Sequence, residues 1–326
     1  MTALTADQIV AITSVIPGVL QDEPMAKHTN LRIGGPAKLY VALSSADDIV
    51  HAVQTAENAH VPWYVFGGGS NLLVADSGFE GLVIQTTLRD LTVDGERIHA
   101  GAGAITALVA RKAADAGLVG FEWAIGVPGT IGGAVYGNAG CYGGEMKDAV
   151  ESVDAYHIAR GERVAYTNAD CQFTYRESRF KKERHLIFGC TLALTPGDAA
   201  TAKARMQEIV TTRKEKQPLD ASSAGCTFKN VEFTDPADIA TLQSTIDVPQ
   251  AMIDAKRIPA GWLVDKAGLL GTSVGNISVS EKHGNFLIQK SGATAADTVA
   301  LMQKIKETVR ERFGVELQEE VQLLGF

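Results

Sequence analysis

The chain has 326 residues, enough for two domains, and its 45% apolar and 21% charged residues make an ordinary globular balance. A net charge of −8 argues against a nucleic-acid or anionic-membrane surface, so any anionic ligand needs a local cluster of cations. Cys141, Cys171, Cys190 and Cys226 are scattered, which fits a reducing cytoplasm better than a disulfide scaffold, and no apolar run reaches the roughly 18 residues of a membrane span.

Residues 1–24 lack a basic leader region, and Asp7 and Gln8 break the apolar run, so they predict a short amphipathic helix rather than a signal peptide. An extended run with a turn at Gly34, Gly35 and Pro36 follows. Ser45 can cap a helix in which Asp48 is the third residue and Ile49, Val50, Val53 and Ala56 form the apolar stripe. "WYVF" and "GLVIQTTL" predict strands, "LTVDGERIHA" a hairpin turning at Asp94-Gly95, and "ITALVARKAADAG" a helix closed by Gly117. A second hairpin turns at Arg160-Gly161, "HLIFGCTLAL" is a strand, and a helix ends before Pro218. Beyond a long connector over 231–258, strands around "SVGNISV" and "NFLIQ" precede a last helix. In that helix Leu301, Ile305, Val309 and Phe313 share a face and Gly314 ends it, before a final strand, "VELQEEVQLLGF".

Three glycine-rich stretches invite a phosphate reading. "GAGAITA" (101–107) has two of the three Rossmann glycines, with Thr106 at the third position, and a tight strand–helix turn explains it equally well. "VFGGGSNLLV" (65–74) puts three glycines after an apolar strand, leaving backbone N–H groups bare to meet a pyrophosphate, with Ser70 and Asn71 as polar partners. "GFEWAIGVPGTIGGAVYGNAGCYGGE" (120–145) holds nine glycines and almost no charge, which suits a buried segment whose backbone approaches a large flat ligand. Neither loop contains GxxxxGK[ST], which sets aside a P-loop NTPase. The seven histidines offer no pair at metal-ligand spacing, so no metal is expected. Cys226, in "SSAGCTFKN", has no second cysteine or histidine at ligand spacing and by itself reads as a small buried hydrophobe.

The loops "GGGSNLLV" and "IGVPGTIGGAVYGNAGCYGGE" resemble those of the UDP-N-acetylenolpyruvoylglucosamine reductases, the MurB family. "TNLRIGGPA", "FTYRESRF", "RKEKQP", "AGCTFKN", "AGWLVDKAGL", "VSEKHGNF" and "LQEEVQLLGF" fall in that family's order, so the resemblance runs from Asn30 to the end. It implies an α+β protein: an FAD-binding domain of the vanillyl-alcohol-oxidase/PCMH type, followed by a smaller α+β substrate-binding domain. The division expected is a helical extension over 1–24, the FAD domain over 25–207 (in parts of about 25–88 and 89–207), the substrate domain over 208–316, and a terminal strand over 317–326. The resemblance also implies NADPH-dependent, FAD-mediated reduction of UDP-N-acetylglucosamine enolpyruvate to UDP-N-acetylmuramate, a step of peptidoglycan precursor synthesis. The partners would be the UDP-sugar and NADPH, and the protein a cytoplasmic monomer.

By the same matching, FAD would lie against Gly67, Gly68, Gly69, Ser70, Asn71 and Leu72, with Gly126, Val127, Pro128, Gly129, Gly132, Gly133, Asn138, Gly140 and Tyr142 around the rest of the flavin. Hydride arrival at the methylene carbon of the substrate leaves negative charge on the α-carbon and its carboxylate, which calls for a cation and an acid. Arg176 matches the arginine assigned to the carboxylate, where a planar fork binds two oxygens. Glu320 matches the family glutamate, useful beside a carboxylate only if protonated or bridged by a cation, with Glu319 the neighbour facing the other side.

Cys226 stands where most familiar members carry the serine that protonates the intermediate, and an ordinary thiol, with a pKa of about 8.5, is protonated near neutrality yet more acidic than a hydroxyl. Thr227 and Ser223 are the alternative hydroxyls. Lys216 and Asn230 match residues that hold the nucleotide diphosphate, and Lys266 and His283 join them as substrate-binding candidates. Leu270 stands where the family often has lysine, with Lys266 the possible compensation. The chain lacks the tyrosine-bearing loop of the longer class of these enzymes, although its connector after Asn230 is longer than the short class usually has. Two other readings stay open: another FAD-dependent oxidoreductase of the same fold, and an inactive flavin-binding homologue. The retention of Arg176 and Glu320 argues against the second.

Overall fold

The computed structural model describes residues 2–326. They form two compact units that interleave along the chain: one gathers residues up to Glu23, Ala37–Gly69 and Phe79–Arg213, the other Pro24–Pro36, Ser70–Gly78 and Lys214–Phe326. The division read from sequence is linear, with a break at 207–208. Two short upstream segments instead join the second unit: 70–78 finds its partners near the other end of the chain, and 24–36 buries Leu31 and Ile33 in that unit's core.

In the first unit, the strands Pro36–Leu43 and Trp63–Phe66 both run parallel to Phe79–Thr86. Helix Ala46–Asn58 joins the first two, and the Ser45 side chain accepts the Asp48 N–H at its start. Its residues Ile49, Ala52, Val53 and Ala56 share one core with Leu39, Val41 and Ile84. Leu82, Val83 and Ile84 are all fully buried, as expected of a parallel strand covered on both faces.

A second sheet in this unit is antiparallel, in the order Glu162–Thr167, Val150–His157, His185–Ala193, Arg97–Gly101, Leu91–Asp94. Both hairpins turn where the sequence predicts. Helix Thr106–Asp115 contributes Val109, Ala110 and Ala113 to the core that holds Ile98, Val153 and Leu192. The "GAGAIT" glycines have a local cause. A Cβ on Gly101 would fall 2.5 Å from the Leu88 carbonyl oxygen, and one on Gly103 would fall 2.7 Å from the Leu88 nitrogen. A crossing backbone demands them, and no nucleotide turn is needed.

The second unit packs helices Ala260–Lys266 and Ala295–Phe313 with a three-stranded sheet of Ser273–Val274, Ile277–Val279 and Leu287–Gln289. Leu301, Ile305, Val309 and Phe313 are buried in its core, as the helical spacing predicts. Strand Leu72–Val74 pairs in parallel with Gln322–Leu324. The Asp76 carboxylate accepts the Ala295 and Ala296 N–H groups at 2.8 and 2.9 Å, which neutralises two orphan donors at the start of the long helix. These contacts explain why residues 70–78 belong to this unit. The long connector is no loop: Val231–Glu232 pairs with Arg257–Ile258, and Phe233, Ile239, Leu242 and Val248 are buried between them in the chain.

The final strand is shorter than its sequence suggests, covering Gln322–Leu324, while Glu319 makes an isolated bridge to Phe228. Glu319 is held by Lys306 at 2.7 Å. Partial burial is the largest single influence and raises its carboxyl, but the Lys306 hydrogen bond, a main-chain hydrogen bond and the Lys306 charge together leave the group below its usual value. A depressed carboxylate adds stability above its unfolded pKa and loses it as the pH falls through the folded one. Lys306→Met should therefore lower the stability at neutral pH by the small amount of a part-exposed pair, about 0.2–1 kcal/mol. Thermal melts should show the gap closing as the pH drops below the usual 4.5. A gap that persists in strong acid would assign the loss to packing.

Candidate active site

The polar geometry begins in the first unit, where the loop after Trp63–Phe66 meets the segment before helix Ile131–Tyr136. A Cβ on Gly67 would lie 2.1 Å from the Thr130 hydroxyl oxygen, and one on Gly68 would lie 3.2 Å from the Gly129 Cα. The Gly67 carbonyl is fixed by the Gln85 amide at 3.0 Å, and Gln85 is fixed in turn by the Tyr40 hydroxyl at 2.5 Å. Thr130 is 9% exposed, and its hydroxyl has no hydrogen-bond partner among the described residues. A buried orphan hydroxyl beside two side-chain-free residues is the signature of a cradle for a polar ligand. Sequence reasoning passed over Thr130; the only signal was a lone hydroxyl between two glycine pairs.

The remaining glycine-loop residues divide by role. Asn138 is fully buried at a φ of +41°, and its amide donates to Glu145 Oε2 at 2.6 Å and to the Thr174 carbonyl at 2.9 Å. Its Oδ1 accepts the Lys147 N–H at 3.0 Å, so the side chain ties the loop to the turn at 174–177. A Cβ on Gly144 would fall 2.2 Å from the Trp123 ring. Part of the glycine density therefore serves packing, since it lets the hairpin lie on Trp123.

Arg176 is set in that turn rather than on a strand edge, with Thr174 and Glu177 paired across it. Its φ is +55°, a costly conformation for a residue with a Cβ. The Lys181 ammonium donates to its carbonyl oxygen at 2.6 Å, and its own guanidinium donates to the Gly140 carbonyl at 3.2 Å. The fold thus fixes Arg176 against the Gly140–Cys141 hairpin. The Cys141 thiol donates to the Trp123 carbonyl, and burial pushes its pKa up to about 11 despite the pull of Arg213 and Arg176. Burial likewise pushes Cys171 and Cys190 up to about 12. These three thiols stay protonated and inert at neutral pH.

In the second unit, Gly225 takes a φ of +78° with open space around it, so the turn into Cys226 needs glycine for its backbone conformation. The chain then runs between two neighbours. On one side Cys226 bridges to Phe286, and the Thr227 N–H donates to the Asn285 carbonyl at 2.9 Å. On the other, the Glu320 N–H donates to the Thr227 carbonyl at 2.8 Å, and the Lys229 N–H to Gln318 at 2.8 Å. Asn71 Nδ2 donates to the Glu320 carbonyl at 3.0 Å, so this predicted cofactor residue also anchors the terminal segment. Cys226 is part-exposed, whereas Thr227 is only 5% exposed. The Ser223 hydroxyl accepts the Gly225 N–H in a local turn.

Among the substrate-binding candidates, Asn230 Oδ1 accepts the Ala260 N–H at 3.1 Å and so meets the start of helix Ala260–Lys266. Lys216 and Lys266 are exposed, and Leu270 is 36% exposed. His283 Nδ1 accepts the Asn285 N–H at 3.2 Å, which leaves the proton on Nε2, and burial lowers its pKa so the ring is neutral.

One cluster was invisible in sequence. Among the described residues, His157, Glu183 and His185 bring ligand-type atoms within 4.8 Å of one another, because His157 and His185 face each other across two strands. Their nitrogens already have roles. Arg160 N–H donates to His157 Nδ1 at 3.3 Å, so His157 Nε2 carries the proton where a metal would need a lone pair. His185 Nδ1 donates to the Glu183 carbonyl, and its Nε2 accepts the Tyr166 hydroxyl at 2.8 Å. Burial keeps His185 neutral.

Residues 217–324 match the family model of the UDP-N-acetylenolpyruvoylglucosamine reductase C-terminal domain, and residues 37–166 match that of an FAD-binding domain. Over 334 residues the chain is 40% identical to the UDP-N-acetylenolpyruvoylglucosamine reductase of Agathobacter rectalis, covering 97% of this chain and 98% of that one. It is 37% identical over 305 residues to the corresponding reductase of Caldanaerobacter subterraneus subsp. tengcongensis, covering 93% of each. The crystal structure of the reductase from Thermus caldophilus superimposes with a TM-score of 0.73 at 31% identity, covering 94% of this chain and 98% of that one. The cradle at Gly67 and Thr130 lies inside the FAD-domain match, and an orphan hydroxyl beside bare glycine backbone fits a dinucleotide pyrophosphate.

Proposed function

The chain belongs to the UDP-N-acetylenolpyruvoylglucosamine reductase (MurB) family, and from that premise we infer how its residues divide the reaction. The reaction is the NADPH-dependent reduction of UDP-N-acetylglucosamine enolpyruvate to UDP-N-acetylmuramate, a step of peptidoglycan precursor synthesis. FAD, when bound, supplies hydride chemistry between NADPH and the substrate. Gly67 and Gly68 lie so close to Thr130 and Gly129 that no Cβ fits there, and their bare backbone with the Thr130 hydroxyl would hold its pyrophosphate.

Addition of hydride to the methylene carbon leaves an electron pair shared between the α-carbon and the carboxylate. Arg176 binds that carboxylate through its guanidinium and stabilises the developing charge. The Cys226 thiol gives its proton to the α-carbon, forming the new C–H bond, and the thiolate recovers a proton from solvent. Glu320, in its protonated form, donates a hydrogen bond at the same centre. Lys216, Asn230 and Lys266 take the nucleotide end, and the Nε2–H of neutral His283 suits a phosphate oxygen.

The observation that carries the choice of donor is the contrast at the turn after Gly225: Cys226 is part-exposed while Thr227 is 5% exposed. The reading places the protein in the cytoplasm as a monomer. No disulfide joins its cysteines, and no helix among the described residues is long and apolar enough to cross a membrane.

The test is an anaerobic visible spectrum. A flavin band should bleach with NADPH and return only when the enolpyruvyl UDP-sugar is added. Bleaching without return would point to another substrate or a disabled second half-reaction. A protein that takes up no flavin on reconstitution with FAD would overturn the reading.

A further inference from the structure

The segment 226–229 has ordinary main-chain partners on the Glu320 side but not along its whole opposite edge. There the neighbouring chain turns, with Phe286 N–H donating to the His283 carbonyl at 3.0 Å, and no strand continues beside Phe228. The place of the missing strand is taken by a side chain. Asn285 Oδ1 accepts the Phe228 N–H at 2.8 Å, and Asn285 Nδ2 donates to the Phe228 carbonyl at 2.8 Å. The main-chain carbonyl of Asn285 meanwhile accepts the Thr227 N–H at 2.9 Å. Asn285 is 2% exposed and Phe228 1%, so water cannot replace these bonds.

We propose that Asn285 is a positioning residue for the protonation step, its amide acting as a one-residue strand that fixes Cys226 relative to Glu320. Only a primary amide carries one acceptor and one donor in the geometry of a peptide group. With the pair in place, Phe228 is tied on both backbone atoms. Thr227 is tied to Asn285 through its nitrogen and to Glu320 through its carbonyl. Cys226, between the flexible Gly225 and this anchored pair, has its main chain set from the anchored side. Without the amide, Phe228 loses both of its main-chain partners on that edge, and only the Thr227 N–H bond to the Asn285 carbonyl and the Cys226–Phe286 bridge remain there, so the segment can shift and carry the thiol away from its target.

The inference rests on Cys226 being the proton donor, and a double-mutant cycle separates the two. Flavin reduction by NADPH and flavin reoxidation by the enolpyruvyl substrate are timed separately in wild type, Asn285→Ala, Cys226→Ala and the double variant. A misplacement of this kind costs about 100-fold. Asn285→Ala should therefore slow reoxidation by about that factor while flavin reduction stays within about twofold. In the Cys226→Ala background the same substitution should cost little more, because there is no donor left to misplace.

Full-rate reoxidation in Asn285→Ala beside a slow Cys226→Ala overturns the proposal alone, as do additive losses in the double variant. A full-rate Cys226→Ala takes down both readings. Should Asn285→Ala not fold, Asn285→Asp carries the same cycle: it keeps an acceptor for the Phe228 N–H, loses the donor to the Phe228 carbonyl and adds a buried acid.

Discussion

Cys226→Ala leaves flavin reduction by NADPH intact and slows reoxidation by the enolpyruvyl UDP-sugar about 100- to 10,000-fold, the usual worth of a positioned acid. The reason lies in the charge balance of the second step. Hydride delivery to the methylene carbon creates a carbanion that must be protonated within the site, and removing the acid leaves solvent to do it. Cys226→Ser should recover most of the rate, to within about tenfold, because the hydroxyl keeps both the proton and the approximate reach of the thiol. Stopped-flow absorbance of the flavin separates the two steps. Equal reoxidation in wild type and the alanine variant would sink the thiol-acid role. Cys171 and Cys190 make natural controls, because each is buried and held protonated well above neutral pH. Their alkylation should not track activity, whereas alkylation of Cys226 should abolish the second step.

The second large effect concerns cofactor retention. Thr130→Val should weaken FAD binding about 10- to 100-fold while leaving the apoprotein as stable as before, or more so. The hydroxyl is buried without a partner, so the apoprotein already bears the cost of its desolvation. A bond to a charged phosphate is worth about 1.5–3 kcal/mol, and each 1.4 kcal/mol is about tenfold in affinity. Apoprotein melting and FAD titration by flavin fluorescence give the two numbers separately. A destabilised apoprotein with unchanged FAD affinity would assign Thr130 to the fold alone. Unchanged affinity with unchanged stability would remove it from the site.

Much of this molecule was legible before the structure was known. Ser45 with Asp48, the turn residues at Asp94-Gly95 and Arg160-Gly161, and the one-turn spacing of Leu301, Ile305 and Val309 each act within a few residues. Hydrogen-bond capping, backbone sterics and helical period are local rules, and local rules survive in any tertiary context. The chemistry-bearing motifs were legible only through the family resemblance: by residue type alone the thiol after Gly225 reads as a small buried hydrophobe, and the order of the surrounding motifs is what marks it and Arg176. Part of the glycine signal is packing alone: Gly101 and Gly103 answer to the backbone of Leu88, in line with the tight turn read from sequence, and Gly144 answers to Trp123.

What the sequence determined by itself, then, is the set of elements, the family motifs and the residue types available for hydride-linked proton chemistry. The tertiary structure alone decided which distant segments complete one another. Residues 70–78 join the C-terminal unit because Leu72–Val74 finds its strand partner at Gln322–Leu324 and Asp76 finds the open end of the last helix. Asn285 becomes a strand substitute, and Thr130 an orphan donor, only once Phe228 and Gly67 are brought against them. Hydrogen-bond partners remote in sequence are chosen by geometry and by the exclusion of water, and a one-dimensional pattern records neither.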